Sequence, residues 1–411
     1  MVIGNPPYVS APTQLANETL AKQRDTLVKI KQYNSLCEKW DLYIPFIERG
    51  LQLAKTDGVV TMIVPFPLTN QKYGKVLRKM LTQDYNMFEL VDLNGTKIFD
   101  NATVSNCIPF VKKQPTQNKC TIAHINEQLE ITPTFEQNNA ELVQDKKTQV
   151  WNLTKDDRKG NKHSDMHVLG DYCYISVGMV LNSDEKEKEN VFKKGDLISD
   201  VENEIHCRKF IEGKDIGKYC INTIRYLEYD TERVPDLLRR PTFRELYKNP
   251  KLMFNRLGEL QVVLDSEGDF TTSDAMFVCL LWNSLSGVIN KSITSSIKKF
   301  SKYSRLEMEK LSETVDLKYL LAIMNSKYAA VLLTNQRGGD YHIYPEHIRN
   351  IPIPTATVAQ QEPIIALVDK ILVAKKQDPK ADTLALEAQI DQLVYKLYGL
   401  TQEEIAVVEG K

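Results

Sequence analysis

The sequence has no hydrophobic run of membrane length, and no charged and apolar leader stands ahead of its first apolar stretch. It is expected to lie outside membranes and to carry no secretory signal. It also lacks any cysteine pattern: the seven cysteines show no paired spacing, and their number is odd. They read as reduced thiols of a cytoplasmic chain, with Cys107 and Cys279, inside apolar runs, expected in the core. A charge excess is missing too, since 53 basic residues face 54 acidic ones for a net charge of −1. Nothing global therefore advertises nucleic acid, although a basic face balanced by acidic surface elsewhere is compatible with it. His124, His163 and His167 do not cluster with cysteines at zinc spacing. His163 and His167 could share one helix face, but they read as surface histidines of a linker, and no metal is expected.

What the sequence has is an unusual start. Val2 and Ile3 read as the end of a buried strand, and Gly4 allows the backbone a sharp exit. Pro6 and Pro7 then forbid a helix and remove two N–H donors. The carbonyls of Asn5 and Pro6 are left to accept hydrogen bonds, the Asn5 amide adds an acceptor, and Tyr8 adds an aromatic plate. Such a set suits an exocyclic amine on a flat base. The acceptors hold the –NH2 and turn its lone pair outward, while the ring stacks on a base drawn from its helix. Alone, the tetrapeptide is equally a proline-rich turn after a strand.

Val9 to about Lys31 is polar and reads as a loop with a helical part, placed where a lid or groove-facing loop would be. Leu36, Trp40, Tyr43, Ile44, Ile47, Leu51 and Leu53 predict an amphipathic helix that Pro45 kinks or splits. Val59 to Val64 is a β-rich run without alternation, as in a strand covered on both faces, and Pro65-Phe66-Pro67 stops it. A short basic helix follows over Gly74 to Leu81. Two strands close in sequence come next, Phe88–Leu93 and Val104–Val111, with a turn at Asn94-Gly95.

Asn5-Pro6-Pro7-Tyr8 resembles motif IV of the amino-methyltransferases that act on DNA, in the form typical of adenine-N6 enzymes. Lys39-Trp40-Asp41-Leu42-Tyr43, the run from Gly58 to Pro65, and Phe99-Asp100-Asn101-Ala102-Thr103-Val104-Ser105 are similar, in the same order, to adenine-N6 enzymes of the combined type IIG restriction–modification family. The element order resembles the second half of a class I (Rossmann-like) methyltransferase sheet, whose last strand pair forms a hairpin. The resemblance implies Asn5, Pro6 and Tyr8 as catalytic residues and Phe99 as a base-stacking candidate on the other face of a flipped adenine. Phe66 is a weaker candidate for lining the groove, and Asp41 and Asp92 take support roles. The alternative for Phe99 is a core phenylalanine at a strand start.

The resemblance also implies S-adenosylmethionine as methyl donor. Class I folds bind it through a glycine-rich loop after the first strand and an acidic residue ending the second. In this family those elements precede motif IV, which here begins at residue 5. Gly213-Lys214-Asp215-Ile216-Gly217 and Arg337-Gly338-Gly339-Asp340 lack the strand context of a donor loop. The expectation is the C-terminal portion of a larger enzyme, inactive alone and with no cofactor bound to this chain. Its partner would be the upstream part of the same enzyme or a separate subunit carrying it. No stretch resembles the paired acidic residues and lysine of a restriction nuclease.

The expected fold class is α/β: an incomplete class I methyltransferase sheet over 1–118, an irregular linker over 119–168, a mixed α/β target-recognition domain over 169–355 and a C-terminal helical hairpin over 356–411. Tyr172 to Val180 with Gly178 near its end, Gly213 to Ile216, the strand ending Asn255-Arg256, and Thr271-Thr272-Ser273-Asp274 before the buried run Ala275–Leu280 resemble the recognition domain of TaqI-like methyltransferases. The apolar helix Leu317–Ser326, the Arg337-Gly338-Gly339 loop and Ile351-Pro352-Ile353-Pro354 resemble specificity subunits of type I systems. Double-stranded DNA is the implied partner, with Lys214, Arg225, Arg256 and Arg337 as DNA-binding candidates. Lys298-Lys299-Phe300-Ser301-Lys302-Tyr303 interleaves basic and aromatic residues, as a backbone-contacting segment or an ordinary solvated run. Two other readings stay open: a DNA-recognition module without catalysis, and an amino-methyltransferase acting on RNA or protein glutamine, which the large C-terminal domain disfavours.

Overall fold

The computed structural model describes residues 1–93, 105–125, 130–143, 146–153, 166–183, 191–337 and 342–410, and within them all side chains but those of Asn335 and Arg337. The chain divides into two compact units, Met1–Lys159 with Arg337–Asp340, and Gly160–Gln336 with Tyr341–Lys411.

The first unit is built on one mixed sheet. Its elements are β1 (Val2–Gly4), α1 (Ala11–Ala16), α2 (Glu18–Lys29), α3 (Tyr43–Leu53), β2 (Val59–Met62), β3 (Val64–Pro65), α4 (Lys75–Lys79), β4 (Asn86–Asp92), β5 (Asn106–Lys112), β6 (Lys119–Ile125) and β7 (Ile131–Asn138). Strand order is β1-β2-β5-β4-β6-β7, with β3 paired to β5. β1 and β2 run parallel with Ile3 opposite Thr61, and α3 is the crossover between them. β5 is inserted antiparallel between β2 and β4, so the two strands close in sequence are neighbours as expected. Tyr43, Ile44, Ile47 and Leu51 of α3 share a core with Val60, Met62, Val64, Leu90 and Val111. Gly50 sets how closely α3 lies on the sheet, since a β-carbon there would stand 2.9 Å from side-chain carbons of both Val60 and Met62.

Two expectations are corrected. The helix expected from about residue 33 begins only at Tyr43, and Pro45 sits in its first turn, where a missing N–H costs no intrahelical bond. Residues expected to form an irregular linker instead contain β6, parallel to β4, and β7, antiparallel to β6. Cys120, Ile122 and Ala123 are fully buried, an apolar strand core that polar flanks hide in the sequence. Arg78 ties the same region down. Its wholly buried guanidinium donates to the carbonyls of Leu68 (2.7 Å), Gln71 (2.8 Å), Thr148 (2.8 Å) and Gln149 (2.7 Å). Burial lowers its pKa to about 10.

The second unit carries two four-stranded sheets. In chain order the strands are β8 (Cys173–Val177), β9 (Ile198–Ser199), β10 (His206–Ile211), β11 (Arg225–Glu228), β12 (Lys251–Asn255), β13 (Val262–Asp265), β14 (Thr271–Thr272) and β15 (Met276–Leu281). One sheet has the order β13-β12-β15-β8, antiparallel throughout, and the other β9-β11-β10-β14. Its helices include α5 (Lys291–Phe300), α6 (Leu317–Asn325), α7 (Val358–Gln377) and α8 (Leu384–Tyr398). The apolar helix read from Leu317 is buried along its length, against Leu252, Phe254, Phe277 and Cys279 of the first of these sheets. Ile364, Val368 and Ile371 of α7 and Ile390 and Val394 of α8 join that same core, and α7 is capped at Asp378, ahead of Pro379. Leu384 is 72% exposed at the start of α8. All seven cysteines are free thiols, and Cys107 and Cys279 are buried.

Gly178 follows β8 and is where the two sheets approach. A β-carbon there would stand 2.5 Å from the Thr272 carbonyl oxygen and closer still to that of Ser273. Met179 next to it donates to the Thr272 carbonyl at 3.0 Å. Gly178→Ala is expected to destabilise the chain by about 2–3 kcal/mol through backbone overpacking. Denaturant unfolding followed in the second unit would show it as a lowered midpoint at constant slope.

Candidate functional site

β1 ends at Gly4, and the next three residues hang between two bonds to a single residue. Ile63, in the gap between β2 and β3, donates its N–H to the Gly4 carbonyl at 3.1 Å and accepts the Tyr8 hydroxyl on its own carbonyl at 3.1 Å. The Tyr8 oxygen in turn accepts from Asn106 Nδ2 at 3.1 Å, and the same nitrogen reaches the Val64 carbonyl at 3.4 Å. Asn106 is 2% exposed at the start of β5. The half-buried Tyr8 ring is therefore fixed at its far end by two strands.

Inside this loop, Asn5 is exposed and Pro6 is buried. Neither the Asn5 side chain nor the carbonyls of Asn5 and Pro6 take a hydrogen bond from the described residues. Backbone carbonyls of folded chains are rarely left unmatched, so a buried residue with an open carbonyl beside an open amide is an acceptor pair available to a ligand. Two prolines favour that state, since they disfavour a helical turn at Asn5 and Pro6 that would fold a later N–H back onto these carbonyls.

Downstream, the loop is held by the first residues before and in α3. Asp41 accepts the Ala11 N–H at 2.8 Å and the Tyr73 hydroxyl at 2.8 Å, and Leu42 donates its N–H to the Val9 carbonyl at 3.0 Å. Burial raises the Asp41 carboxyl, against the Tyr73 and Ala11 bonds and the charge of Arg24. Arg24 of α2 lies 3.8 Å over the Trp40 ring and donates to the Trp40 carbonyl at 2.6 Å. The polar stretch after Tyr8, expected as a loop with a helical part, is thus largely helical, two helices latched to the residues before α3. Asp92 ends β4, buried, with His124 Nε2 3.8 Å from its carboxylate.

The other residues singled out in the sequence fall in different places. Phe66 is 3% exposed in the first core, so it lines no groove. Phe99 lies outside the described residues, as do Gly338, Gly339 and the Arg337 side chain. In the second unit, Lys214 is exposed and takes no partner among the described residues. Arg225 is 12% exposed and paired with Asp215 and, at 3.2 Å, with Glu212. Arg256 donates to the Asp274 carbonyl and stacks 5.3 Å from the Phe277 ring centre. Among the described residues no group of His, Cys, Asp and Glu could hold a metal ion.

Sequence reasoning missed Asn106 and the carboxylate at the centre of the second unit. Burial pushes Glu212 up, but hydrogen bonds from Lys194, Ser273 and Arg225 prevail and hold it below the usual range. The signal for Asn106 was a lone amide opening an apolar strand. Glu212 had none, because its partners Lys194 and Ser273 are far away in sequence.

Residues 1–99 match the family model described as Eco57I restriction-modification methylase. Over 121 residues the chain is 33% identical to the type II methyltransferase M.BstVI of Geobacillus stearothermophilus, which is 29% of this chain and 20% of that protein. Over 118 residues it is 30% identical to the type II restriction enzyme and methyltransferase RM.Eco57I of Escherichia coli, 29% of this chain and 11% of that protein. The chain thus spans a fifth or less of the length of these curated relatives. Its first part is related, at low identity, to type II and combined restriction–modification methyltransferases. A structure of the type IIL restriction-modification enzyme MmeI in complex with DNA shares the fold at a TM-score of 0.56 and 12% identity, over 99% of this chain and 56% of that one.

The anchoring of Tyr8 has a pH signature. Burial raises its phenol to about 12, opposed by the Asn106 bond, against an ordinary value of 10.0. Below pH 10 the folded and unfolded phenols are both protonated, and between pH 10 and 12 the unfolded one loses its proton first, so stability falls over that window. Tyr8→Phe is expected to flatten the fall in unfolding free energy between pH 10 and 12; an unchanged slope would mean that Tyr8 is not held as described. In the second unit, Arg225→Met is expected to cost about 2–3 kcal/mol of stability by leaving Glu212 and Asp215 underpaired, measured by denaturant unfolding at neutral pH.

Proposed function

We propose that this chain is a portion of an adenine-N6 DNA methyltransferase of the combined restriction–modification kind. The observation that carries this reading is the open acceptor pair of Asn5 and Pro6 at the end of β1, beside a Tyr8 ring anchored at its hydroxyl. The match of residues 1–99 to a restriction-modification methylase family supports it. So does the strand order β1-β2-β5-β4, parallel and then antiparallel, which is the arrangement of the second half of a class I methyltransferase sheet.

On this reading an adenine leaves the duplex and stacks on Tyr8. The Asn5 side-chain oxygen and the Pro6 carbonyl accept the two N6 hydrogens, which turns the nitrogen lone pair toward the donor. The amine is itself the nucleophile, so no covalent enzyme intermediate forms; the methylated nitrogen then loses one proton to solvent, and Asp41 and Asp92 hold the surrounding loops and strand end. Proximity and orientation supply most of the effect. S-adenosylmethionine supplies the methyl group in the complete enzyme. The described residues of this chain do not fit a donor site, because the turns after β1 and β2 carry prolines where a glycine-rich loop would stand. The outer edge of β1 pairs with no further strand among the described residues, and Ile3 on it is 68% exposed. An open edge of this kind suits a parallel strand from the donor-binding part, in the same enzyme or a separate subunit.

The second unit takes the role of target recognition, over 169–355 with the helices of 356–411 packed against it. Double-stranded DNA is the partner, the setting is the cytoplasm, and Lys214 is the one of the four basic candidates that stands exposed and unpaired among the described residues. The alternative of a recognition module without catalysis draws on the lack of a donor loop among the described residues.

In the complete enzyme, Asn5→Ala is expected to abolish adenine methylation and leave duplex binding within about twofold, because Asn5 makes no bond that holds the fold. Equal loss of both would make Asn5 a structural residue. The chain alone is expected to show no methylation and no donor binding by titration calorimetry at micromolar concentration; micromolar affinity would sink the assignment of the donor site to another part.

A further inference from the structure

Between Ala275 and Leu306 the sequence has no acidic residue, four lysines and one arginine, in a chain whose net charge is −1. The middle of this stretch is α5. Ile293 is buried in a core shared with Phe210, Leu227 and Trp282, and Ile297 packs against it. Those two positions fix which side of the helix is outward. At 100° per residue, Lys291, Ser295, Lys298 and Lys299 fall together on the side opposite Ile293 and Ile297, flanked by Ser292 and Thr294. All six are exposed, and Lys302 just past the helix is exposed as well.

None of the four lysines meets a carboxylate among the described residues, and Lys299 lies 4.6 Å over the Phe300 ring. The arginine of the stretch is not part of this face, since Arg305 is bound to Glu309 and to the carbonyls of Val288 and Leu285. Two carboxylates do lie near the helix. Asp171 and Glu346 line a cavity of about 60 Å³ with Ser296, Phe300 and Ser301, on the inward side, and Arg349 lines it with them. The outward side has only ammonium groups and hydroxyls.

From this we propose that α5 is a phosphate-backbone rail: its outward face lies along one strand of duplex DNA and supplies affinity without reading sequence. The inference rests on the DNA-acting role proposed above and goes further, naming the surface and the kind of contact. Lysine serves here as a mobile point charge toward phosphate, and the hydroxyls of Ser292, Thr294 and Ser295 are further donors to phosphate oxygens. Lys291 and Lys298 are about 10 Å apart along the axis, a span of about three phosphates of one strand. Base readout needs bidentate Arg, Asn or Gln, and this face has none of them.

The test is duplex binding by the whole chain, by fluorescence anisotropy, as a function of salt. Replacing Lys291, Lys298, Lys299 and Lys302 together by Gln is expected to weaken binding at least about tenfold. The log–log salt slope should fall by about 2–4, at about 0.9 for each phosphate that is no longer neutralised. The weakening should be the same for all duplex sequences, the melting temperature should not move, and the corresponding Lys→Arg set should restore binding. An unchanged slope in the Gln variant, with wild-type chain binding duplex, overturns the rail and leaves the DNA reading standing. No duplex binding by the wild-type chain overturns both. Wild-type binding to vesicles of anionic phospholipid at least as tight as to duplex, abolished in the Gln variant, overturns the rail by assigning the face to a lipid surface.

Discussion

Ile63 is the residue on which the candidate site depends. A backbone position inside a sheet normally gives both its polar groups to neighbouring strands. Ile63 sits where the strand pattern lapses between β2 and β3, and both groups turn toward the first strand and its exit loop. One residue thereby sets the height of Gly4 and the end of Tyr8 together. The segment between is two prolines and an asparagine, which have little conformational freedom to lose. A rigid loop whose acceptors stay open follows from these constraints without any contribution from a ligand.

The two units solve burial of polar groups in different ways. In the first, Arg78 takes four carbonyls and no carboxylate, and in the site Asp41 takes an amide and a hydroxyl and no cation at bonding distance. Charge there serves to collect backbone. In the second, Glu212 gathers Lys194, Arg225 and Ser273, and Lys251 is buried against Asp265. Charge there joins strands that are far apart in sequence: Glu212 follows β10, Ser273 follows β14 and Arg225 opens β11. This matters for reading basic residues as DNA contacts, because an arginine at a strand end is as able to neutralise an interior carboxylate as to reach a phosphate. Arg225 shows the first use and the lysines of α5 suit the second.

Much of the first unit is legible in the sequence because its elements announce themselves locally. Unbroken β-rich runs at 59–64 and 88–93, the proline stop after the first, the Asn-Gly turn after the second and a helix between strands are short-range signals, and they lead to the right neighbours in the sheet. What fails is also local in origin. Pro45 reads as a helix breaker although it is a first-turn residue, and the apolar positions 36 and 40 join by spacing to a helix they precede, because apolar spacing continues across a boundary that only capping geometry marks. β6 and β7 are hidden in polar flanks. Asn106 meets Tyr8 across nearly a hundred residues, which no window of sequence reports. In the second unit the buried helix at Leu317–Asn325 is evident from its apolar density, whereas the assignment of single arginines to a surface depends on distant carboxylates.

The clip made by Arg78 has a consequence for how the protein tolerates change. Because its donors meet only main-chain oxygens, it is indifferent to which side chains occupy positions 68, 71, 148 and 149. What it measures is path length. The clip itself tolerates a change of side chain at these positions, but a deletion of one or two residues after β7 would pull carbonyls off a buried guanidinium. This clip therefore constrains the number of residues in this part of the chain, while core positions such as Leu142 and Trp151 constrain their identity.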